Sequence, residues 1–167
     1  MLNLYMSFSP QSRVWIYQSD RQFTLSEEKV IAEKLAVFTK QWQAHGSELL
    51  ASAEIMHGFF IVLIVDETQA NVTGCSIDSS VRLIKEIEKE LKVDLFNRLN
   101  IAYLDGDQVA LVGRSEFEDL INQGKVNAET IVFNNLVQTL KELNNSWKVP
   151  FRNSWHTKVF NMVMPLA

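Results

Sequence analysis

The stretch that most constrains this chain is the run of seven apolar residues Phe59–Val65, FFIVLIV. A short run of aromatic and β-branched residues is typical of a strand that is buried on both faces of a sheet. Asp66 and Glu67 follow it, and a polar connection leads to Thr73–Ser76, which opens an amphipathic helix. Strand, acidic end, loop and helix start form an arrangement in which α/β proteins often bind ligands.

Hydrophobic periodicity and turn residues place the other elements around this strand. The predicted strands are Arg13–Gln18, Glu48–His57, Phe59–Val65, Ile101–Leu104 and Gln108–Val112, and the predicted helices start near Thr24, Cys75, Ser115 and Val132. Thr130–Phe133 fits a brief strand as well as a helix start, and periodicity does not decide between them. The first six elements have the order βαββαβ. The sequence therefore predicts an α+β fold, a ferredoxin-like βαββαβ sandwich with an extra hairpin strand and C-terminal helices.

A single domain over residues 1–167 is predicted, because the length suits one domain and no linker or repeat divides the chain. The 145–167 tail contains several large apolar side chains, Trp147, Phe151, Trp155 and Phe160. Such a segment is expected to pack back on the core. Because both faces of Phe59–Val65 are apolar, the C-terminal helix and tail or a second subunit should cover the second face.

Composition excludes several classes of function. A net charge of −4 gives no support for a nucleic-acid partner. A single cysteine rules out an intrachain disulfide and, with three scattered histidines, argues against a zinc site. The chain start lacks the features of a signal peptide, and no segment approaches 18 unbroken apolar residues. We expect a cytoplasmic protein without membrane insertion and without a cofactor.

Cys75 is the first candidate for chemistry, because a helix N-terminus stabilises a thiolate. A nucleophilic cysteine would also need a base, which His45, His57 or His156 would have to supply in space. Asp78 lies in the same helical turn, and its negative charge would oppose the thiolate. The alternative interpretation is a structural cysteine, since free cysteines are often buried.

The segment Thr73–Ser80, TGCSIDSS, is a candidate anion site. Backbone N–H groups at a helix start bind anions, Gly74 permits close approach, and Thr73 and Ser76 add hydroxyl groups. The alternative is a well-capped helix in which Ser76 or Asp78 accepts the N–H groups of the first turn.

A magnesium site is a further hypothesis, with Asp66 and Glu67 as oxygen ligands beside Asp78 and Glu54. Acidic residues at a strand end are equally typical of a solvent-facing loop. In the tail, His156 lies within Ser154–His156 and is a candidate base or ligand. The alternative for His156 is a hydrogen-bonded residue that bridges parts of a packed tail.

Segments over most of the chain resemble a bacterial family of small uncharacterised proteins that are often labelled "ABC transporter ATPase". The similar segments are RVWIYQSDR near the start, GCSIDSSVRLIKEIE at 74–88, DLFNR at 94–98, VFNNLVQTLKEL at 132–143 and SWKVPFRNSWH at 146–156. The resemblance implies no established activity and no catalytic residues, so no role is carried over to this sequence.

The residues argue against the ATPase label. ATPases of that class need a G-x-x-x-x-G-K-[ST] loop around the phosphates. The Gly-Lys pair here, Gly124-Lys125, is followed by Val126, and position 119 is Asp. The nearest approach to an LSGGQ signature, 71–75, lacks the glycine pair.

Three hypotheses from different classes remain. The first is a non-enzymatic interaction or structural domain, expected to form a homodimer that covers the open sheet face. The second is a small-ligand or anion-binding domain that uses Thr73–Ser80. The third is a thiol-dependent or metal-dependent enzyme centred on Cys75, Asp66 and Asp78.

Overall fold

The structure is a computed structural model that describes residues 7–44 and 46–160. The chain forms two compact units. The first unit comprises Met1–Asn97 with Gln138–Leu143, and the second comprises Arg98–Val137 with Asn144–Ala167. Antiparallel sheets and helices occur together, so the α+β class is confirmed. The single domain over 1–167 stays a prediction.

The described strands are β1 (Arg13–Gln18), β2 (Gln43–Ala44), β3 (Ser47–Glu48), β4 (Leu50–Met56), β5 (Phe60–Asp66), β6 (Ile101–Asp105), β7 (Gln108–Val112), β8 (Ile131–Phe133) and β9 (Lys148–Pro150). The described helices are α1 (Leu25–Gln41), α2 (Gly74–Leu91), α3 (Arg114–Asn122), α4 (Leu140–Ser146) and α5 (His156–Val159). None of them is long and apolar enough to cross a membrane.

The main sheet of the first unit has β5 at its centre, in the order β1-β5-β4 with antiparallel pairing on both sides. Leu63, for example, lies opposite Trp15 on β1 and Ala53 on β4. Every residue of β5 is buried. The apolar run at 59–65 is therefore the central strand, as its composition predicts.

Helices α1 and α2 cover one face of this sheet. Each begins with a capping box, between Thr24 and Glu27 in α1 and between Thr73 and Ser76 in α2. The indole N–H of Trp42, just after α1, donates to the Ser76 carbonyl at 2.8 Å. The buried residues packed there include Ile31, Leu35, Ile61, Leu63, Val65, Ile84 and Ile87.

The hairpin between β4 and β5 turns at His57-Gly58. Both residues have positive φ, 56° and 68°, and the Phe59 N–H donates to the Met56 carbonyl at 3.2 Å. Two successive positive φ angles match the twist of the flanking strands, and glycine adopts such angles without strain. The predicted turn is confirmed.

The outer edge of β1 is bonded by a segment that returns from far along the chain. The Val14 N–H donates to the Gln138 carbonyl at 2.9 Å, and the Leu140 N–H donates to the Ser12 carbonyl at 2.9 Å. In a ferredoxin-like sheet the fourth strand would lie beside β1. Here β6 belongs to a different sheet. The predicted ferredoxin-like topology is therefore not confirmed, because the sheet order differs.

The second unit contains a four-stranded antiparallel sheet in the order β7-β6-β8-β9. β6 and β7 are joined at Asp105-Gly106, where Gly106 has a φ of 63°, so this hairpin also follows the prediction. Of the two alternatives for Thr130–Phe133, the brief strand is confirmed, because Val132 pairs with Tyr103 on β6.

The predicted helix from Val132 is wrong over its first part, because α4 begins only at Leu140. The Asn134 side chain accepts the Leu136 N–H at 3.2 Å, a local turn that competes with helix formation. The helix start predicted near Ser115 is correct to within one residue, since α3 begins at Arg114, but Ser115–Glu118, which has the spacing of a capping box, does not cap it because the N-cap is Gly113.

An aromatic cluster fills the core of the second unit. Phe117 on α3 lies 5.7 Å from Tyr103, 5.6 Å from Phe151 and 5.1 Å from Phe160, measured between ring centroids. Phe151 and Phe160 belong to the predicted 145–167 tail, and both are buried. Residues 161–167 of that tail lie outside the described residues.

The central position of β5 predicts a large effect of truncating it. Leu63→Ala should lower the free energy of unfolding by roughly 2–5 kcal/mol, because the Leu63 side chain is 0% exposed and its removal leaves a cavity. Leu25→Ala is the matched control, since Leu25 is 80% exposed and its loss should change stability by about 0.5 kcal/mol or less. Urea unfolding measures both, and equal losses would contradict the central role of β5.

Candidate functional site

The second unit contains a cleft of about 470 Å³. Three segments line it: Arg98–Ile101 before and at the start of β6, Gly113–Arg114 at the start of α3, and tail residues at 155–160. Its volume lies within the usual range for a small-molecule site.

The cleft follows from the register of the β6–β7 hairpin. Ile101 at the start of β6 pairs with Val112 at the end of β7. The residues before Ile101 and after Val112 therefore leave the sheet side by side. The ring of Phe160 packs on Phe117 of α3, so the tail reaches the same end of the hairpin.

The wall of the cleft is largely apolar. Ile101 and Phe160 are buried and Val159 is half-buried. Leu99 also lines the cleft but is 78% exposed.

Two unpaired cations lie in the cleft. Arg98 and Arg114 form no ion pair with any described residue, and no aspartate or glutamate lines the cleft. The Arg114 guanidinium is oriented by the Val159 carbonyl, at 3.4 Å from Nη2, and by the ring of Phe160, 5.9 Å from the ring centroid.

The start of α3 lies at the same cleft, with Glu116 in its first turn. Its N-cap, Gly113, has no side chain and makes no side-chain cap bond. The first N–H groups of the helix are thus left without a side-chain acceptor, and the positive end of the helix dipole lies at the cleft.

His156 forms part of the wall and is only 3% exposed. Its Nδ1 lies 2.5 Å from the Ser154 hydroxyl, and its ring stacks on Trp155 with centroids 4.0 Å apart. Burial lowers the pKa of His156 to about 4, so the ring is neutral at pH 7. This arrangement agrees with the interpretation of His156 as a hydrogen-bonded bridging residue.

The indole N–H of Trp155 is shielded from solvent and has no acceptor among the described residues. A buried donor without a partner costs on the order of 1–3 kcal/mol. Because this nitrogen is closed to solvent, it is not a donor that a molecule in the cleft can reach.

Ser154 and His156 do not form a nucleophile–base pair that is open to a substrate. Ser154 is buried and does not line the cleft, and its hydroxyl oxygen also accepts the backbone N–H of His156 at 3.3 Å. The contact is local, across a two-residue turn, and orients the His156 ring.

The sequence candidates Cys75 and Asp78 are exposed on the first turns of α2, in the first unit. The Cys75 carbonyl accepts the Ser79 hydroxyl at 2.9 Å. His57 is exposed at its turn, whereas His45 lies outside the described residues. His156 belongs to the second unit. A catalytic role for Cys75, Asp78 and His156 stays a prediction.

The hydroxyl groups proposed for an anion at Thr73–Ser80 are engaged in the helix cap. Thr73 Oγ1 accepts the Ser76 N–H at 3.3 Å, and Ser76 Oγ accepts the Thr73 N–H at 2.6 Å. The capping interpretation thus accounts for both side chains. Ligand binding by Thr73, Gly74 and Ser76 stays a prediction.

The carboxylates proposed for magnesium have roles in the loop after β5. Asp66 is buried and accepts the Ser9 N–H at 2.8 Å and the Thr68 N–H at 3.0 Å; the bond from Ser9 is the main reason that its pKa is lowered. Glu67 accepts the Val72 N–H at 3.0 Å.

Glu54 lies half-buried on β4, where burial raises its pKa. Across the described residues, no group of three or more His, Cys, Asp or Glu side chains is arranged to hold a metal ion. Metal binding by Asp66 and Glu67 stays a prediction.

Sequence reasoning missed Arg98, Gly113 and Arg114 as site residues. One signal was present: Gly113 directly follows the alternating run Gln108–Val112, so a helix that starts there has a glycine N-cap. The lack of ion-pair partners for the two arginines has no signal in the sequence.

Comparison of the chain with protein-family models, with curated proteins and with solved structures gives no significant match.

The buried His156 predicts a pH dependence of stability. The unfolded chain binds a proton at His156 below about pH 6.5, whereas the folded protein binds it only near pH 4, so stability should fall as pH drops through this window. The loss should be on the order of 2–3 kcal/mol. His156→Asn should flatten the profile between pH 6.5 and 4 in urea unfolding experiments.

His57→Asn is the control for this experiment, because His57 is exposed and asparagine tolerates its positive φ. The control should keep the wild-type pH profile. A wild-type profile in His156→Asn as well would contradict the assignment to His156.

Proposed function

We propose that this protein is a non-enzymatic binding domain that holds a small organic molecule in the cleft of its second unit. The observation that carries the proposal is one cleft that combines an apolar wall with two arginines, Arg98 and Arg114, that have no acidic partner among the described residues. Sites for small organic molecules typically have this combination of apolar surface and a few convergent polar groups.

The lining residues support binding rather than covalent catalysis. None of them is a Cys, Ser, Asp or Glu, and the single histidine is neutral at pH 7 and oriented by Ser154. The cleft is also better supported than Thr73–Ser80, where the hydroxyl groups already serve the helix cap.

The proposal does not include ATP hydrolysis. We propose a relationship to the bacterial family labelled "ABC transporter ATPase" on the similarity of sequence segments alone. No activity is carried over from that label. No phosphate-binding loop of that class occurs in the sequence. A cytoplasmic location is proposed on the basis of composition and the single cysteine.

A binding experiment tests the proposal. Naphthalene-2-carboxylate and naphthalene-2-carboxamide serve as flat apolar probes, and calorimetry should show one saturable site for at least one of them. Gly113→Leu should weaken this binding at least tenfold, because a Cβ at Gly113 meets nothing within 4 Å and a larger side chain there occupies the cleft.

Ser115→Leu is the matched control, since Ser115 is exposed on the same helix and does not line the cleft. It should keep wild-type affinity. No binding of either probe, or equal losses in the two variants, would overturn the proposal.

Homodimer formation through β4 is a second candidate function. Among the described residues β4 pairs only with β5, so the other edge of this seven-residue strand is open. The strand contains neither lysine nor proline, the residues that commonly block an edge. Two copies related by a two-fold axis can pair antiparallel about Ala53, which places Glu54 opposite Ser52 and avoids a like-charge contact.

Light scattering during size-exclusion chromatography tests this candidate. The wild-type chain should be a dimer at micromolar concentration, and the double variant Ser52→Lys, Glu54→Lys should be a monomer because lysines would face each other across the edge. The double variant Ala32→Lys, Ala36→Lys adds lysines to the exposed side of α1 and should remain a dimer. A monomeric wild-type chain would rule out the dimer.

A further inference from the structure

We infer that the cleft of the second unit selects an organic anion, namely a carboxylate or a similar group carried on a flat apolar body. The inference rests on the proposed function and adds the chemical class of the ligand. It depends on three observations: the charge of the cleft, the start of α3 and the shape of the apolar wall.

The charge of the cleft contrasts with that of the chain. The chain is acidic, with a net charge of −4, yet the cleft carries two arginines and no carboxylate. Arg152, elsewhere in the same unit, is paired with Glu129, whereas Arg98 and Arg114 have no acidic partner among the described residues. Both arginines are exposed, and two guanidinium groups beside an apolar cleft attract an anion, each able to bind a carboxylate through two hydrogen bonds.

The start of α3 supplies further donors at the same place. The N-caps of α1 and α2 are Thr24 and Thr73, whose side chains accept N–H groups of the first turn, but the N-cap of α3 is a glycine without a cap bond. A ligand carboxylate at Gly113 would accept these N–H groups as an aspartate N-cap does. The helix start is supported by its neighbour Arg114, an exposed guanidinium that lines the same cleft.

The apolar wall defines the body of the ligand. Ile101, Val159 and Phe160 offer aliphatic and aromatic surface, and Trp155 stacks on His156 with an angle of 25° between the rings. Because His156 is neutral at pH 7, it adds no charge to this surface. A small inorganic anion would leave the wall unused, whereas an aromatic carboxylate would use both the wall and the arginines.

The matched pair of naphthalene probes tests the charge preference, because the carboxylate and the carboxamide differ mainly in charge. Calorimetry at low salt should show the carboxylate binding at least tenfold more tightly, and the difference should shrink in 0.5 M salt as screening increases. Arg98→Gln and Arg114→Gln should each weaken carboxylate binding several-fold. Arg152→Gln, the control, should leave it unchanged.

Gly113→Asp provides a variant that should retain its fold. Aspartate caps helices well, so the melting temperature should stay or rise, but its carboxylate occupies the anion position and should weaken carboxylate binding at least tenfold. Asparagine is nearly the same size as aspartate and also caps helices, but it carries no charge. Gly113→Asn should therefore weaken carboxylate binding by threefold or less.

The outcomes separate the two proposals. If the carboxamide binds as tightly as the carboxylate, or if Gly113→Asp and Gly113→Asn weaken carboxylate binding equally, the anion preference is overturned while the binding function stands. If neither probe binds, the binding function itself is overturned. The inference is supported if the wild-type chain prefers the carboxylate, if Gly113→Asp removes that preference and if Gly113→Asn keeps it.

Discussion

The backbone hydrogen bonds along the outer edge of β1 shape the rest of the chain's path. Val14 and Ser12 bond residues that come from beyond position 137, so the edge of the first sheet is closed by a late segment. β6 is therefore free to form its own sheet with β7, β8 and β9. The chain leaves the first unit at Asn97 and returns at Gln138, and Arg98–Val137 with Asn144–Ala167 forms a second unit that has a core of its own.

That second core depends on aromatic packing around Phe117. The three rings within 6 Å of it come from β6, from the short turn after β9 and from the tail. Aromatic side chains bury large areas, which suits a core built from short elements. Since Phe160 is one of these rings, the same packing that stabilises the unit also brings the tail to the open end of the β6–β7 hairpin. Fold and candidate site therefore rely on one set of contacts.

Much of the fold was predictable because its signals are local. The apolar run at 59–65, the turns at His57-Gly58 and Asp105-Gly106, and the capping boxes of α1 and α2 all depend on residues a few positions apart. The predictions that failed did so because contacts with residues far along the chain outweighed the local pattern. Val132 has helical periodicity with Leu136, but pairing with Tyr103 makes it a strand. The start of α3 is one residue earlier than Ser115, and the only local signal for it is that Gly113 directly follows the strand Gln108–Val112.

The sequence by itself determined the α+β class, the central strand and most of the turns, because periodicity and turn chemistry act between neighbours in the chain. It also singled out His156, as a candidate base or ligand or as a hydrogen-bonded residue of the packed tail. The tertiary structure alone decided the candidate site. Arg98, Arg114 and the apolar wall line one cleft only after the hairpin register and the Phe117 packing are set. Folding decides which side chains lie beside each arginine. Because no carboxylate lines the cleft, the charge of the two arginines there is not neutralised by an ion pair.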